Sequence, residues 1–193
     1  MHYETTMKQH KIVITGTGRS GTTIIMALLS LLGYDTGYSR EDVANPIHYD
    51  PKCNAGLELS WEDCHYIHKQ PLLQFEFFDK YEIDHIIVPI RKMEDSARSR
   101  ERMHKMGEVA GGFVCCDNYE RQLQIYEDYM KVLFRFIYDR KIPSIFIKFP
   151  KFIQDDGSYL FKKLCESFKD LPNHEYQFKQ EFKNLIKPEL IHF

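Results

Sequence analysis

Residues 11–32, KIVITGTGRSGTTIIMALLSLL, decide the fold of this chain. The opening KIVIT is a short, β-branched apolar run, which is typical of a buried parallel strand. A glycine-rich turn follows at residues 16–21, and an apolar segment then runs from Ile24 to Leu32 and ends at Gly33, as expected of a helix. This order predicts a phosphate-binding loop, because backbone N–H groups and the positive end of the helix point toward the turn.

The spacing of the loop matches a P-loop, GxxxxGK[ST], with one difference. Gly16 and Gly21 occupy the glycine positions, whereas Thr22 stands where nucleoside-triphosphate hydrolases have a phosphate-neutralising lysine. The nearest cation is Arg19, inside the loop. A plain strand–helix connection is the alternative interpretation. The complete strand–turn–helix context favours an anion site, and the absent lysine is not typical of an ordinary ATPase.

Length and composition indicate a soluble globular protein. The 193 residues predict a single domain over residues 1–193, with residues 1–10 as a loose lead-in. Hydrophobic content of 43% and charged content of 28% are ordinary. A formal net charge of −2 gives no bulk attraction to nucleic acid or membranes, so neither is an expected partner and any anion site must be local.

The cysteines and the apolar runs predict the compartment. Five cysteines without zinc-ligand spacing are typical of reduced thiols in a cytoplasmic protein. The first predicted strand begins at about Lys11, which leaves no room for a signal peptide before it. No apolar run approaches the ~20 residues that a membrane-spanning helix needs. We therefore expect a cytoplasmic location.

Strand-like and helix-like segments alternate along the rest of the chain. Strands are predicted at residues 85–90 and 144–149, with a weaker candidate at 34–38; helices are predicted at 54–68, 71–78, 94–106, 119–138 and 159–168. Residues 106–118 read as a glycine-containing loop, and the tail from Leu171 lacks clear periodicity. The pattern predicts an α/β fold, a three-layer sandwich with a parallel sheet. In such sheets ligands bind at the carboxyl ends of the strands, so residues 16–23, 38–42 and 91–99 should share one edge.

A second cationic element follows the strand at residues 85–90. Arg91 ends that strand, and Ser99 lies eight residues later, two turns into the next helix. A guanidinium and a hydroxyl around one pocket suit a second phosphate. The alternative is that Arg91 pairs with Glu94 or Asp95. The same alternative assigns three further arginines to a solvated helix face: Arg98, Arg100 and Arg102.

Together the two elements resemble the sulfotransferase family. GRSGTT, residues 18–23, is similar to its loop for the 5′-phosphosulfate of 3′-phosphoadenosine 5′-phosphosulfate (PAPS), and RKMEDSARS, residues 91–99, to its 3′-phosphate motif. The resemblance implies a P-loop NTPase-like sulfotransferase fold, PAPS as donor, 3′-phosphoadenosine 5′-phosphate (PAP) as product, and no required metal. It implies that these residues bind the donor: Gly18, Arg19, Ser20, Gly21, Thr22, Thr23, Arg91 and Ser99.

The implied reaction moves a sulfuryl group to a hydroxyl or amine of a small-molecule or carbohydrate acceptor. Arg19 and the loop N–H groups would stabilise the charge that develops on the leaving group. Family members use a histidine or glutamate after the second strand as general base. Glu58 is the first candidate here, followed by His48 and Glu41, with Asp42 and His65 also in this region.

Two other functions remain open. A P-loop nucleotide or small-molecule kinase would bind ATP in the same loop, although Thr22 replaces the lysine and no aspartate ends either strong strand after the first. A non-catalytic, nucleotide-binding protein with a sulfotransferase-like fold is the other alternative. The acceptor and the oligomeric state are left open by the sequence.

Overall fold

A computed structural model describes residues 9–45, 47–50, 55–60, 63–71, 80–105 and 118–186. In chain order, its strands are β1 (His10–Ile14), β2 (Tyr49–Asp50), β3 (Ala55–Gly56), β4 (Ile67–Lys69), β5 (Glu82–Ile90) and β6 (Ser144–Lys148). The helices are α1 (Thr22–Leu31), α2 (Arg40–Ala44), α3 (Met93–Lys105), α4 (Tyr119–Arg140), α5 (Lys151–Gln154), α6 (Ser158–Leu164) and α7 (Glu175–Leu185), with a 3-10 turn at Leu171–His174.

Four of the strands form one parallel sheet in the order β4-β1-β5-β6. Ile14 at the end of β1 is level with Lys69 of β4 and with Ile87 of β5. Because the strands are parallel, their carboxyl ends meet at one edge of the sheet. The β2–β3 pair is a separate, antiparallel ribbon in the connection between α1 and β4.

Helices cover both faces of the sheet, because successive strand residues alternate between two hydrophobic clusters. Ile12, Ile14 and Ile87 pack on one side with α1 and the carboxyl-terminal helices. Val13, Ile86 and Val88 pack on the other side against α4. The α/β sandwich predicted from the alternation of strands and helices is therefore present in three layers.

Three of the predicted helices are confirmed with shifts at their ends. The predicted helix at 119–138 is α4, the one at 94–106 is α3, and the one at 159–168 is the shorter α6. Within α4, the apolar spacing predicts that Phe134 lies on the buried face, but its side chain is 42% exposed. The predicted helix at 71–78 and the predicted loop at 106–118 lie outside the described residues, apart from Pro71 and Asn118.

The two elements predicted between α1 and β4 are wrong. Residues 34–38 form bends instead of a strand, and local side-chain bonds compete with strand pairing: the Thr36 hydroxyl lies 2.7 Å from that of Ser30 and accepts the backbone N–H of Tyr38. In the described part of residues 54–68 there is no helix, because β4 pairs with β1 and Ile67 is completely buried. Burial in the sheet overrides the helix-like spacing.

The carboxyl-terminal tail also differs from the prediction, since it contains α7. Phe178 and Phe182 are four residues apart and bury their rings against the sheet side that carries α1. Within the described residues, no helix has the length and apolar character that crossing a bilayer requires.

Candidate anion-binding site

The glycine-rich loop turns sharply between β1 and α1. Arg19 adopts a left-handed conformation with φ of 55°, and Gly21, which precedes α1, has φ of 95°. A Cβ atom at position 21 would lie 2.5 Å from the ring of Phe152, so glycine is required both for its conformation and for space. α1 then presents its N-terminal N–H groups at the sheet edge, and its first turn contains no acidic residue.

The two predicted phosphate motifs meet directly at this edge. Arg91 donates from Nη1 to the backbone carbonyl of Arg19 at 2.9 Å, and Arg19 donates from Nε to the Ser99 hydroxyl at 3.3 Å. Arg91 and Ser99 are each only 8% exposed. The Arg91 guanidinium also lies over the ring of Phe149, 5.0 Å from its centre. Residues far apart in the chain therefore form one hydrogen-bonded cluster at this edge.

The electrostatic surroundings of Arg91 reflect this crowding of cations. Burial lowers the pKa of Arg91, the Asp95 carboxylate opposes that shift, and the charge of Arg19 adds to it. Asp95 is thus a neighbour of Arg91, as the alternative interpretation expected, but Arg91 also bonds to the loop. The guanidinium keeps its charge, since arginine remains protonated in proteins.

Lys69 is a site residue that the sequence analysis missed. It is the last residue of β4, its side chain is 1% exposed, and its ammonium donates to the Thr23 hydroxyl at 2.9 Å. The same nitrogen donates to the Gly56 carbonyl and to Glu58 Oε1, the latter at 2.9 Å. Burial lowers the pKa of Lys69, Glu58 opposes the shift, and the charges of Arg100 and Arg19 add to it. The sequence concealed Lys69 because it falls between the predicted helices at 54–68 and 71–78, where no strand was expected.

Arg100 is the second missed cation, and its place corrects part of the alternative interpretation. Arg98 and Arg102 are exposed as that interpretation expected, whereas Arg100 is only 3% exposed. Helical periodicity could have identified it, since Arg100 follows the buried Ser96 and Ala97 by one turn.

Buried hydroxyl groups complete the loop. Thr22 and Thr23 are 3% and 6% exposed, and Ser20 is fully buried. The Ser20 hydroxyl has no hydrogen-bond partner among the residues that the structure describes. A buried donor without a partner is unfavourable, and an oxyanion in the loop is the kind of group that would satisfy it. Gly18 has φ of 68° and lies buried beside Arg19.

The general-base candidates fall into two groups. Glu58 is linked to the loop through Lys69, and its side chain is 43% exposed, so it can reach both the buried lysine and solvent. It lies in a stretch without regular secondary structure, which corrects the helix predicted over residues 54–68. Burial and the neighbouring Glu58 carboxylate raise the pKa of Tyr38 to about 12, so Tyr38 lies on the same side of the site.

The other candidates are further from the loop contacts. His48 Nε2 lies 3.5 Å from Asp42 Oδ1, and its ring is 6.0 Å from that of Tyr38. Glu41 is exposed on α2, and His65 bonds through Nδ1 to Asp35 at 2.5 Å. Among the contacts of the described residues, only Glu58 in this set connects to the loop, through Lys69 and Thr23.

The arrangement is suited to a polyanion. Four basic side chains, Arg19, Lys69, Arg91 and Arg100, lie around a helix N-terminus at the carboxyl edge of the sheet. Comparison of the chain with protein-family models, curated proteins and solved structures gave no match.

Proposed function

We propose that this protein is a PAPS-dependent sulfotransferase that transfers a sulfuryl group to a hydroxyl or amine. One observation carries the proposal: Arg19 bonds to both Arg91 and Ser99, so the loop and the second phosphate motif form a single site. A nucleotide with phosphates on both its 5′ and 3′ positions would need two such elements side by side. This geometry supports the motif resemblance, which was drawn from the sequence alone.

In this proposal the loop residues bind the 5′-phosphosulfate, and Arg91 with Ser99 binds the 3′-phosphate. Arg19 and the N–H groups at the start of α1 stabilise negative charge on the leaving phosphate. The Ser20 hydroxyl donates a hydrogen bond to an oxyanion oxygen, which gives this buried group a partner. These groups are fixed by the fold before any ligand binds, which is the condition for electrostatic stabilisation of a transition state.

Glu58 is the proposed general base. Its carboxylate is partly exposed and lies at the opening beside the buried cations, where an acceptor hydroxyl could approach it. His48 and Glu41 are the next candidates, and both are exposed on the same connection between α1 and β4. A small-molecule or carbohydrate acceptor is proposed on this exposed side.

The decisive experiment is calorimetric titration of the full chain with PAP and, separately, with Mg-ATP. We expect PAP to bind at micromolar concentration and Arg91→Ala to weaken it roughly tenfold or more, because a charge-assisted bond to phosphate is lost. Arg102→Ala is the matched control, since Arg102 is an exposed arginine on the same helix. Its PAP affinity should equal that of the unaltered protein.

Each alternative function has its own result in this titration. Preference for Mg-ATP over PAP would overturn the sulfotransferase proposal in favour of a kinase. Binding of neither nucleotide would contradict both enzyme proposals. PAP binding without turnover of radiolabelled PAPS, over a panel of hydroxyl and amine acceptors and water, would indicate the non-catalytic alternative.

Turnover separates the proposed catalytic residues from those that only bind. Arg19→Ala should lower the rate of sulfuryl transfer far more than it lowers PAP affinity, because its main role is in the transition state. Glu58→Gln should bind PAP at least as tightly as the unaltered protein and lose transfer to the acceptor. If Glu58→Gln, His48→Asn and Glu41→Gln all keep full turnover, the general base lies elsewhere.

A further inference from the structure

Lys69 contacts the hydroxyl at the loop position that binds a metal ion in P-loop enzymes. In GxxxxGK[ST] loops the lysine follows the last glycine, and the next residue binds Mg²⁺ through its hydroxyl. In this chain those two positions are Thr22 and Thr23. The Thr23 hydroxyl accepts a hydrogen bond from the Lys69 ammonium at 2.9 Å. A cation carried by the neighbouring strand thus contacts the hydroxyl that would otherwise face the metal.

The hydrogen bonds of Lys69 fix its ammonium next to the Thr23 hydroxyl. All three donor directions of the ammonium are used, toward Thr23, the Gly56 carbonyl and Glu58. The single carboxylate among these acceptors belongs to Glu58, which is partly exposed while Lys69 is almost fully buried. Only one side of this ion pair is therefore well solvated.

A purely structural role does not account for the position of Lys69. Burying an ammonium is unfavourable, and the charges of Arg19 and Arg100 make it more so, although Glu58 offsets part of this cost. An incoming phosphate or phosphosulfate would reverse that balance, because its negative charge would interact favourably with all three cations. The buried Ser20 hydroxyl, which has no hydrogen-bond partner among the described residues, independently points to an oxyanion in the same loop.

We propose that Lys69 is the internal cation of the loop, replacing both the absent P-loop lysine and a magnesium ion. Glu58 is its counter-ion when the loop carries no anion, and a bound oxyanion competes with Glu58 for the ammonium. This inference rests on the proposed use of the loop as the 5′-phosphosulfate site. It predicts nucleotide binding that does not depend on divalent metal.

The test is titration of the full chain with PAP in the presence of Mg²⁺ and, separately, of EDTA. The unaltered protein should bind PAP equally in both. Lys69→Met should bind PAP roughly 10- to 100-fold more weakly, because a charge-assisted contact to the 5′-phosphate is lost. Its affinity for adenosine 3′-phosphate, which has no 5′-phosphate for the loop, should stay unchanged. Lys131→Met, which removes an exposed lysine from α4, is the matched control.

Glu58→Gln is the second variant and keeps the test decisive if Lys69→Met fails to fold. Removal of the competing carboxylate should make PAP binding several-fold tighter, whereas a merely structural ion pair would leave the affinity unchanged and lower the stability. An unchanged or weaker affinity in Glu58→Gln, or an unchanged affinity in a folded Lys69→Met, would overturn the proposal. So would a requirement of the unaltered protein for Mg²⁺.

Inorganic pyrophosphate separates the failure of this inference from that of the proposed function. If the unaltered chain binds pyrophosphate but not PAP, the sulfotransferase proposal is wrong, and the same variants titrated with pyrophosphate still decide the role of Lys69. If the chain binds neither compound, the loop is not an anion site, and both proposals are overturned.

Discussion

The glycine-rich loop and the connection between α1 and β4 are built on different physical principles, although Lys69 joins them. In the loop, backbone conformation determines the structure, since residues 16–21 turn between a buried strand and a buried helix. The connection contains only the short elements α2, β2 and β3, and side chains fix its course. Ser39 and Asp42 cap α2 reciprocally, and Asp35 accepts hydrogen bonds from His65 and the backbone of Tyr66.

The loop is therefore determined mainly by residues that are close in sequence, whereas the connection is determined by contacts between residues that are far apart in sequence. The turn at residues 16–21 is set by neighbours in sequence, which a short motif can describe, although Arg91 and Lys69 reach the loop from other strands. The connection depends on partners tens of residues away, such as Glu181 for Arg40. A substitution in the loop should therefore be severe wherever backbone geometry is disturbed, while each contact of the connection should matter less.

The largest expected effect tests the backbone requirement of the loop. Gly21→Ala should destabilise the fold by about 3 kcal/mol or more, because an L-residue is strained at φ of 95° and its Cβ would overlap the buried Phe152 ring. Gly33→Ala is the control, since Gly33 has φ of 85° with open space around it, and should lose only about 1 kcal/mol. Urea unfolding measures both, and equal losses would show that the Phe152 contact is not limiting.

The same contrast explains how far the sequence could predict the molecule. The glycine-rich turn and the apolar strands are local sequence patterns, and Arg91 and Ser99 stand at a fixed spacing, so the sequence could predict them. The structure brings Arg91 and Ser99 to the loop. Helical periodicity could also have predicted that Arg100 is buried. The place of Lys69 could not be predicted, because β4 has only three residues and is defined by its pairing with β1. No short-range pattern specifies a strand whose stabilisation comes almost entirely from its neighbour.

The second prediction tests whether β4 is as buried as this account requires. Burial lowers the pKa of His68 to about 4, with the charge of Lys11 acting in the same direction. The folded state thus favours neutral His68, so the unfolded chain takes up a proton first as the pH falls. Stability should decrease from pH 6.5 to pH 4, by up to about 3 kcal/mol.

The difference between variants isolates this contribution from that of the carboxylates. His68→Gln should lose less stability than the unaltered protein over the same pH range, as measured by urea unfolding at a series of pH values. His104→Gln, at an exposed position on α3, should follow the unaltered protein. Parallel curves for all three proteins would mean that His68 is not the group responsible.

A smaller effect is expected where α4 supports the loop. The hydroxyl groups of Thr15 and Tyr129 lie 2.6 Å apart, and Thr15 is fully buried at the end of β1. Tyr129→Phe should lower the free energy of unfolding by about 1 kcal/mol, the net value of one hydrogen bond. Tyr138→Phe, at a position on the same helix that is 81% exposed, should have no measurable effect. A similar loss in both variants would argue against a specific role for the Thr15 contact.

The smallest effect concerns the connection itself. Arg40 Nη2 lies 2.6 Å from Glu181 Oε1 and also donates to the Leu31 carbonyl at 3.2 Å, so it ties α2 to both α1 and α7. Its side chain is 59% exposed, and solvent screens such a pair, so Arg40→Gln should cost less than about 1 kcal/mol. Because Glu181 is only 12% exposed, the loss should still exceed that of Lys131→Gln, whose partner Asp128 is 59% exposed on the same helix. Urea unfolding at low and high salt should show the difference between these two variants shrinking with salt. If Arg40→Gln instead destabilises the protein as much as Gly21→Ala does, the connection is as tightly specified as the loop, and the distinction between local and long-range construction does not hold for this fold.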